Sequence, residues 1–185
     1  MYPEIMLIPM REELTRAGLK EARTAAEVDA ALAQPGTTML VVNSVCGCAA
    51  GKMRPAVRLA LQHGTKPSQA ITVFAGQDQE ATEKARSYFA GNPPTSPAVA
   101  ILRDGELVYL MQRSAIETST APAIAEELTR AFDTYCATTT AQKPDALVRL
   151  PACVDCAACN GMRPARNGAT SALLGGYAHS TGLLA

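Results

Sequence analysis

Two cysteines separated by a single glycine, Cys46-Gly47-Cys48, lie between a strand-like run and a helix-like run. Residues 37–43 before them are apolar and rich in β-branched side chains, which is typical of a buried strand. Residues 49–62 after them are rich in Ala, Leu, Lys and Arg, which favours a helix. Because the free amides and the dipole at a helix start favour a thiolate, two thiols at such a junction indicate thiol–disulfide chemistry.

The one-residue spacing gives the two thiols unequal positions. Side chains two apart in a helix point to nearly opposite faces, so a Cys46–Cys48 disulfide cannot close inside the helix. We therefore expect Cys46 in the turn ahead of the helix, with Gly47 supplying the permissive backbone. Cys46 is then the candidate nucleophile and Cys48 the candidate resolving thiol, with Lys52 and Arg54 as sources of added positive charge. Two cysteines that pack as small hydrophobes, or a metal-ligand pair, are the alternatives.

Strand-like and helix-like runs alternate through the first 136 residues. The patterns predict helices at about 10–17, 25–33, 49–62, 78–89 and from 122 onward, and strands at about 39–43, 70–75, 98–102 and 107–111. Asp104-Gly105 is typical of a hairpin turn between the last two strands. The resulting order, ααβαβαββα, predicts an α/β fold: a thioredoxin-like sandwich with a central mixed sheet flanked by helices.

Helix boundaries carry further expectations. Thr24 and Thr120 are expected N-caps, and Asp78 is interpreted as an N-cap rather than as a proton acceptor for Cys48. Pro55, inside the helix that follows the cysteine motif, implies a kink or a local break.

Three other positions are candidates for chemistry. In a thioredoxin-like fold, a cis bond between Ser96 and Pro97 would hold backbone groups against the incoming disulfide, whereas a trans proline ending a loop is the alternative. His63 is interpreted as a cation favoured by a helix C-terminus rather than as a catalytic group. Cys136 is interpreted as a partly buried cysteine at a helix end rather than as a third redox thiol.

Composition argues against several classes of function. The 185 residues contain 17 Lys+Arg and 17 Asp+Glu, and this balance indicates neither a nucleic-acid partner nor an anionic membrane surface. No apolar run approaches the roughly 20 residues that span a bilayer, and the N-terminus lacks the pattern of a secretory signal. We therefore expect a cytoplasmic protein, in which clustered cysteines are more often catalytic or metal-binding than structural. The sequence does not indicate the oligomeric state.

Residues 137–185 are predicted to form an extension that is poor in core-forming side chains. It contains three cysteines at steps of three residues: Cys153, Cys156 and Cys159. This spacing recurs in zinc and iron–sulfur sites, which need a fourth ligand, here Cys136, an active-site thiol, His179 or a group from another chain. A metal or cluster site, a redox relay that reduces the motif's disulfide, and a tail with incidental cysteines all stay open.

Several segments together resemble one known family. They are residues 9–15 (PMREELT), 41–51 (VVNSVCGCAAG), 54–55 (RP), 73–78 (VFAGQD) and 93–97 (PPTSP). Over about residues 3–136 the chain resembles the bacilliredoxins, bacterial thioredoxin-like proteins with a Cys-Gly-Cys motif, and the extension has no counterpart in this resemblance.

The resemblance implies removal of bacillithiol from S-bacillithiolated proteins. Cys46 would attack the mixed disulfide, and Cys48 or a second thiol would resolve it. Bacillithiol would be the co-substrate, bacillithiolated proteins the partners, and no cofactor would be required. A general protein disulfide reductase or isomerase is the near alternative, since it uses the same thiolate attack. A metal- or cluster-binding module that uses the extension's cysteines is the alternative from another class.

Overall fold

The computed structural model describes residues 2–137. Its helices are α1 (Glu4–Thr15), α2 (Ala25–Leu32), α3 (Arg54–Ala60), α4 (Gln79–Ser87), α5 (Arg113–Thr118) and α6 (Ala121–Tyr135), with a π-helical turn (Ala49–Met53) directly before α3. Its strands are β1 (Lys20–Glu21), β2 (Thr37–Asn43), β3 (Gln69–Phe74), β4 (Ala98–Arg103) and β5 (Glu106–Met111). Beyond its first residue, the predicted extension lies outside the described residues. None of the described helices has the length and apolar character needed to cross a membrane.

The five strands form one mixed sheet in the order β1-β3-β2-β4-β5. Strands β1, β3 and β2 run parallel, β4 is antiparallel to β2, and β5 is antiparallel to β4. Helices cover both faces of this sheet, so the predicted thioredoxin-like sandwich is confirmed.

The central strand β2 contributes to both faces of the core, and all seven of its residues are buried. Met39 and Val41 pack in the cluster under α3 and α6, whereas Leu40 and Val42 pack in the cluster under α2 and α4. A strand covered on both faces needs apolar side chains at successive positions, which explains the continuous run in its sequence.

Most of the predicted elements are confirmed. Thr24 caps α2 in a capping box with Glu27, and the Thr120 hydroxyl caps α6. The hairpin between β4 and β5 turns at Asp104 and Gly105, which both have positive φ. The two-residue strand β1 and the six-residue helix α5 were not predicted, because neither is long enough to show an apolar repeat.

Helix α1 begins at Glu4, earlier than the predicted start near residue 10. Its buried residues, Leu7, Arg11 and Leu14, recur at helical spacing and lie on both sides of Pro9. Pro9 cannot donate to the Ile5 carbonyl, but Ile5 is 77% exposed, so water can take that hydrogen bond. The helix therefore runs through Pro9 and begins about two turns before the predicted start.

The helix predicted over residues 49–62 is divided at Pro55. The π-helical turn precedes it, and Pro55 lies in the first turn of α3. Pro55 has no N–H to donate to Gly51, and its ring crowds that carbonyl, so a regular α-helix cannot run through it. The wider π-helical turn accommodates this misfit, and the predicted local break is confirmed.

Arg11 ties α1 to the sheet and is only 5% exposed. Its guanidinium donates to both carboxylate oxygens of Asp78, at 2.8 and 3.1 Å, and to Glu21 at 2.9 Å. The same group lies 5.0 Å from the centre of the Phe74 ring. These partners offset the cost of burying a cation.

We expect Asp78→Asn to destabilise the protein by about 2 kcal/mol, because Arg11 stays buried with one carboxylate fewer. Urea unfolding followed by circular dichroism measures this loss. The matched control is Asp29→Asn, which removes an exposed carboxylate that pairs with Lys84 at 2.9 Å and is expected to change stability much less. Equal losses in the two variants would contradict the role assigned to the Arg11–Asp78 pair.

Candidate active site

The register of the sheet brings two chain segments to the same edge. Strand β4 is antiparallel to β2 and pairs Ala98 with Val42, so the segment before β4 lies beside the segment after β2. The first of these segments is Ser96-Pro97 and the second leads into Cys46 and Cys48. The candidate site is therefore built at one edge from two parts of the chain.

Cys46 lies in the turn ahead of the helical residues, as the sequence predicts. Its carbonyl accepts hydrogen bonds from the N–H groups of Ala49 and Ala50, each at 3.1 Å, so the first helical turn closes on Cys46. Cys48 already has helical backbone angles, with φ −67° and ψ −32°. Both side chains are half-buried free thiols, which leaves their sulfurs partly accessible.

Gly47 does not need a glycine's conformational freedom in this dithiol structure. It is exposed, its φ lies outside the positive range, and an added Cβ would have no heavy atom within 4 Å. The expected backbone requirement at Gly47 is therefore wrong for the reduced state.

Hydrogen bonds to the Cys46 sulfur favour its thiolate. Burial is the largest single influence and raises the pKa of Cys46, but hydrogen bonds from the Cys48 thiol, the Ser44 hydroxyl and the Ala49 and Cys48 amides outweigh it. The net effect lowers the pKa of Cys46 below that of an ordinary thiol. The Ser44 oxygen lies 3.1 Å from the Cys46 sulfur.

Cys48 is shifted in the opposite direction. Burial raises its pKa most, and its hydrogen bond to Cys46 and the charge of Cys46 raise it further. The charge of Arg113 and the Ala49 amide oppose this rise without cancelling it. As the pH rises, the thiolate therefore forms first at Cys46, while Cys48 stays protonated to higher pH.

A buried arginine fixes the backbone that carries Ser44. Arg54, 2% exposed, donates to the Ser44 carbonyl at 3.2 Å and to the Asn43 side-chain oxygen at 3.3 Å. The same Asn43 oxygen accepts from the Ser44 N–H at 2.9 Å. Glu13 of α1 pairs with Arg54 at 2.9 Å and supplies the opposite charge. Ser44 is a site residue that the sequence analysis missed, since nothing in the motif shows where its hydroxyl points.

The Ser96–Pro97 bond is cis, as predicted from the fold. Pro97 is buried, and the Ser96 carbonyl accepts a hydrogen bond from Arg113 at 3.3 Å. Arg113 is the first residue of α5 and was also missed, because no local pattern connects it with a motif far away in the chain.

Lys52 and Arg54, the two cations expected to act on Cys46, bind other groups. Arg54 is buried in its own network, and the Lys52 ammonium donates to the Glu117 carbonyl of α5. The cation that acts on Cys48 is Arg113.

Asp78 has a different role from the one predicted. It occupies the N-cap position of α4, but its side chain makes no capping hydrogen bond. Arg11 engages both of its carboxylate oxygens instead, so the predicted side-chain cap is wrong.

Cys136 and His63 lie away from this edge. Cys136 follows α6 and hydrogen-bonds to Thr37 at the start of β2, and burial raises its pKa. Six residue steps along β2 separate Thr37 from Asn43, a distance of roughly 20 Å at about 3.3 Å per step. His63 lies 2.8 Å from Asp133 and so links the end of the α3 segment to α6 instead of only neutralising a helix terminus.

The remaining candidate ligands, Cys153, Cys156 and Cys159, lie outside the described residues, and so does His179. Between residues 2 and 137, no three His, Cys, Asp or Glu side chains are grouped as metal ligands. The zinc or iron–sulfur site in the extension stays a prediction.

We expect iodoacetamide to alkylate Cys46 at a pH below the ordinary thiol range, because its thiolate persists there, and Cys48 only at higher pH. Replacing Ser44 with Ala removes one donor and should raise the pKa of Cys46, so its alkylation at neutral pH becomes slower. Mass spectrometry of peptides across a pH series measures both effects. The control is Ser68→Ala, whose hydroxyl lies near Thr37 at the other end of β2. An unchanged Cys46 profile in Ser44→Ala would contradict this assignment.

One solved structure similar to this chain is an oxidised thioredoxin from Plasmodium falciparum, with 18% sequence identity and a TM-score of 0.47. The match covers 65% of this chain and 100% of that chain. The fold assignment depends on the sheet topology described above and not on this likeness.

Residues 2–136 match the family described as Disulphide isomerase. A bacilliredoxin from Koribacter versatilis is 62% identical over 144 residues, which cover 77% of this chain and 99% of that protein. Another from Salinibacter ruber is 53% identical, with 73% of this chain and 81% of that protein covered. A third, from Geobacillus kaustophilus, is 48% identical, with coverages of 68% and 87%. The chain belongs to the bacilliredoxin family and, with this fold, is a thiol–disulfide oxidoreductase.

Proposed function

We propose that this protein removes bacillithiol from S-bacillithiolated proteins, with Cys46 as the attacking thiolate and Cys48 as the resolving thiol. The observation that carries the proposal is the unequal pair: a partly exposed Cys46 with a lowered pKa accepts a hydrogen bond from a Cys48 whose pKa is raised. The names of the relatives support bacillithiol as the small thiol. Bacillithiol is then the co-substrate, modified proteins are the partners, and the reaction requires no other cofactor.

In the first step, the Cys46 thiolate attacks the bacillithiol sulfur of the client's mixed disulfide. A bond forms between Cys46 and bacillithiol as the client–bacillithiol bond breaks, and the client leaves as a thiolate that takes a proton from water. The lowered pKa of Cys46 increases the fraction of its sulfur that is ionised at neutral pH.

In the second step, Cys48 loses its proton to solvent and attacks the Cys46 sulfur. The Cys46–Cys48 disulfide forms, and bacillithiol leaves as a thiolate. The dithiol is oxidised and the client's mixed disulfide is reduced. While Cys46 is a thiolate, its charge raises the pKa of Cys48. Formation of the mixed disulfide removes that charge, so Cys48 becomes easier to ionise when it is needed.

The sheet register supports a binding place for the client. Ser96-Pro97 leads into β4 at the same edge of the sheet as Cys46. This arrangement suits a mixed disulfide that approaches as an extended segment. The reducing cytoplasm, where a dithiol is maintained, is the proposed location.

The test is release of bacillithiol from a modified client protein. Cys46→Ala should reduce the rate to background, because Cys48, the other described thiol at this edge, has a raised pKa and is a poorer nucleophile. Cys48→Ser should complete the first step and accumulate the Cys46–bacillithiol adduct, detected by intact-mass spectrometry. Full activity in Cys46→Ala would overturn the proposal.

A general disulfide reductase or isomerase is the second candidate, favoured by the description of the matching family. It predicts turnover of scrambled disulfide substrates in the absence of bacillithiol. Comparable rates on a scrambled protein and on a bacillithiolated client would favour this broader activity over the proposed one.

A further inference from the structure

Arg113 lies between the two segments that form the site. Its Nη1 donates to the Ser96 carbonyl at 3.3 Å, and its Nε donates to the Glu117 carboxylate at 2.7 Å. Its hydrogen bond to Glu117 is the main cause that raises the pKa of Arg113, and the charges of Cys48 and Cys46 add to it. Through its contact with Ser96, the guanidinium lies at the same edge of the sheet as the two cysteines.

Most N–H donors of the Arg113 guanidinium have no hydrogen-bond acceptor among residues 2–137. An arginine has five N–H donors, and these two contacts use two of them. Its Nη2 has no hydrogen-bond acceptor among residues 2–137, and the side chain is 46% exposed. Three donors and a fixed positive charge are thus available to a ligand beside the thiols.

Neighbouring basic side chains lack this combination. Arg54 is 2% exposed, and its Nε and Nη1 donate to Glu13, Asn43 and Ser44, so it is not accessible to a ligand. Lys52 binds the Glu117 carbonyl and holds the far end of α5 against the π-helical turn. This contact also fixes the helix that carries Arg113.

Resting on the proposed function, we propose that Arg113 forms an anion-binding subsite that holds a carboxylate of the small thiol while that thiol is attached to Cys46. Bacillithiol carries such carboxylates on its malyl group, and they are ionised at neutral pH. A guanidinium with free donors binds a carboxylate through charge-assisted hydrogen bonds, which can be bidentate.

The order of the two steps favours the small thiol over the client as the source of the carboxylate. The client leaves in the first step, whereas the small thiol stays bonded to Cys46 until Cys48 attacks. A cation at the edge that carries both cysteines is therefore near the adduct until Cys48 resolves it. Because the contact exists in both substrate and intermediate, it should act mainly on KM and less on kcat.

The experiment compares two adducts on one single-cysteine peptide that lacks acidic residues: a bacillithiol disulfide and a 2-mercaptoethanol disulfide. In the full chain, Arg113→Gln should raise KM for the bacillithiol adduct by about tenfold, the loss expected for one charge-assisted contact, and leave KM for the neutral adduct nearly unchanged. Arg113→Lys should restore part of the loss, because it keeps the charge but not the planar fork.

Arg58→Gln is the matched control, since it removes one positive charge from the exposed face of α3, and it should leave the ratio of the two KM values unchanged. Equal losses on both adducts in Arg113→Gln, or the same change of ratio in Arg58→Gln, would overturn the subsite. Failure of the wild-type protein to release bacillithiol at all would instead overturn the proposed function, so the two failures are distinguishable.

Discussion

The buried guanidinium of Arg54 is the interaction on which the site depends. A cation 2% exposed is costly to bury, and it is tolerated because Glu13 supplies a charge and Asn43 and Ser44 supply oxygens. These partners join α1, the end of β2 and α3 at one point. The backbone of Ser44 is held on both its N–H and its carbonyl, so its hydroxyl is directed at Cys46. The buried Arg54 thus supports the reactivity of the partly exposed Cys46 by holding the Ser44 hydroxyl beside its sulfur.

The two cysteines differ because one is the hydrogen-bond acceptor of the other. Burial raises the pKa of both sulfurs, and only Cys46 collects enough donors to reverse that effect. In this chain Cys46 lies ahead of the helical residues, while Cys48 already lies within them. The different backbone positions of Cys46 and Cys48 therefore accompany opposite shifts of their pKa values.

The fold was largely predictable because its strands carry strong patterns. The apolar run in β2, the Asp104-Gly105 turn and the Thr24 and Thr120 caps are local signals that tertiary packing did not override. The start of α1 was not predictable. A proline such as Pro9 ordinarily disfavours a helix interior, and the burial of Leu7 and Arg11 that stabilises the helix around it depends on the assembled sheet.

The candidate site was predictable only in part, for a related reason. Cys46, Cys48 and the cis Ser96–Pro97 bond follow from a motif and from the fold it indicates. Ser44 is held by Arg54 of α3, and Arg113 of α5 reaches the site through its hydrogen bond to Ser96, so both depend on contacts between separate segments. Asp78 fits the pattern of a helix cap, but its carboxylate accepts hydrogen bonds from the buried Arg11 instead. A partner so distant in the chain cannot be recognised from the local sequence.

The remote position of Cys136 has a consequence for stoichiometry. Within residues 2–137 it is separated from Cys46 and Cys48 by the length of β2, so these residues can form a single internal disulfide. Residues 2–137 can therefore donate one pair of electrons, from the Cys46–Cys48 dithiol, and have no second internal dithiol to oxidise. Once that disulfide has formed, any further reduction by this part of the chain needs electrons delivered from outside residues 2–137.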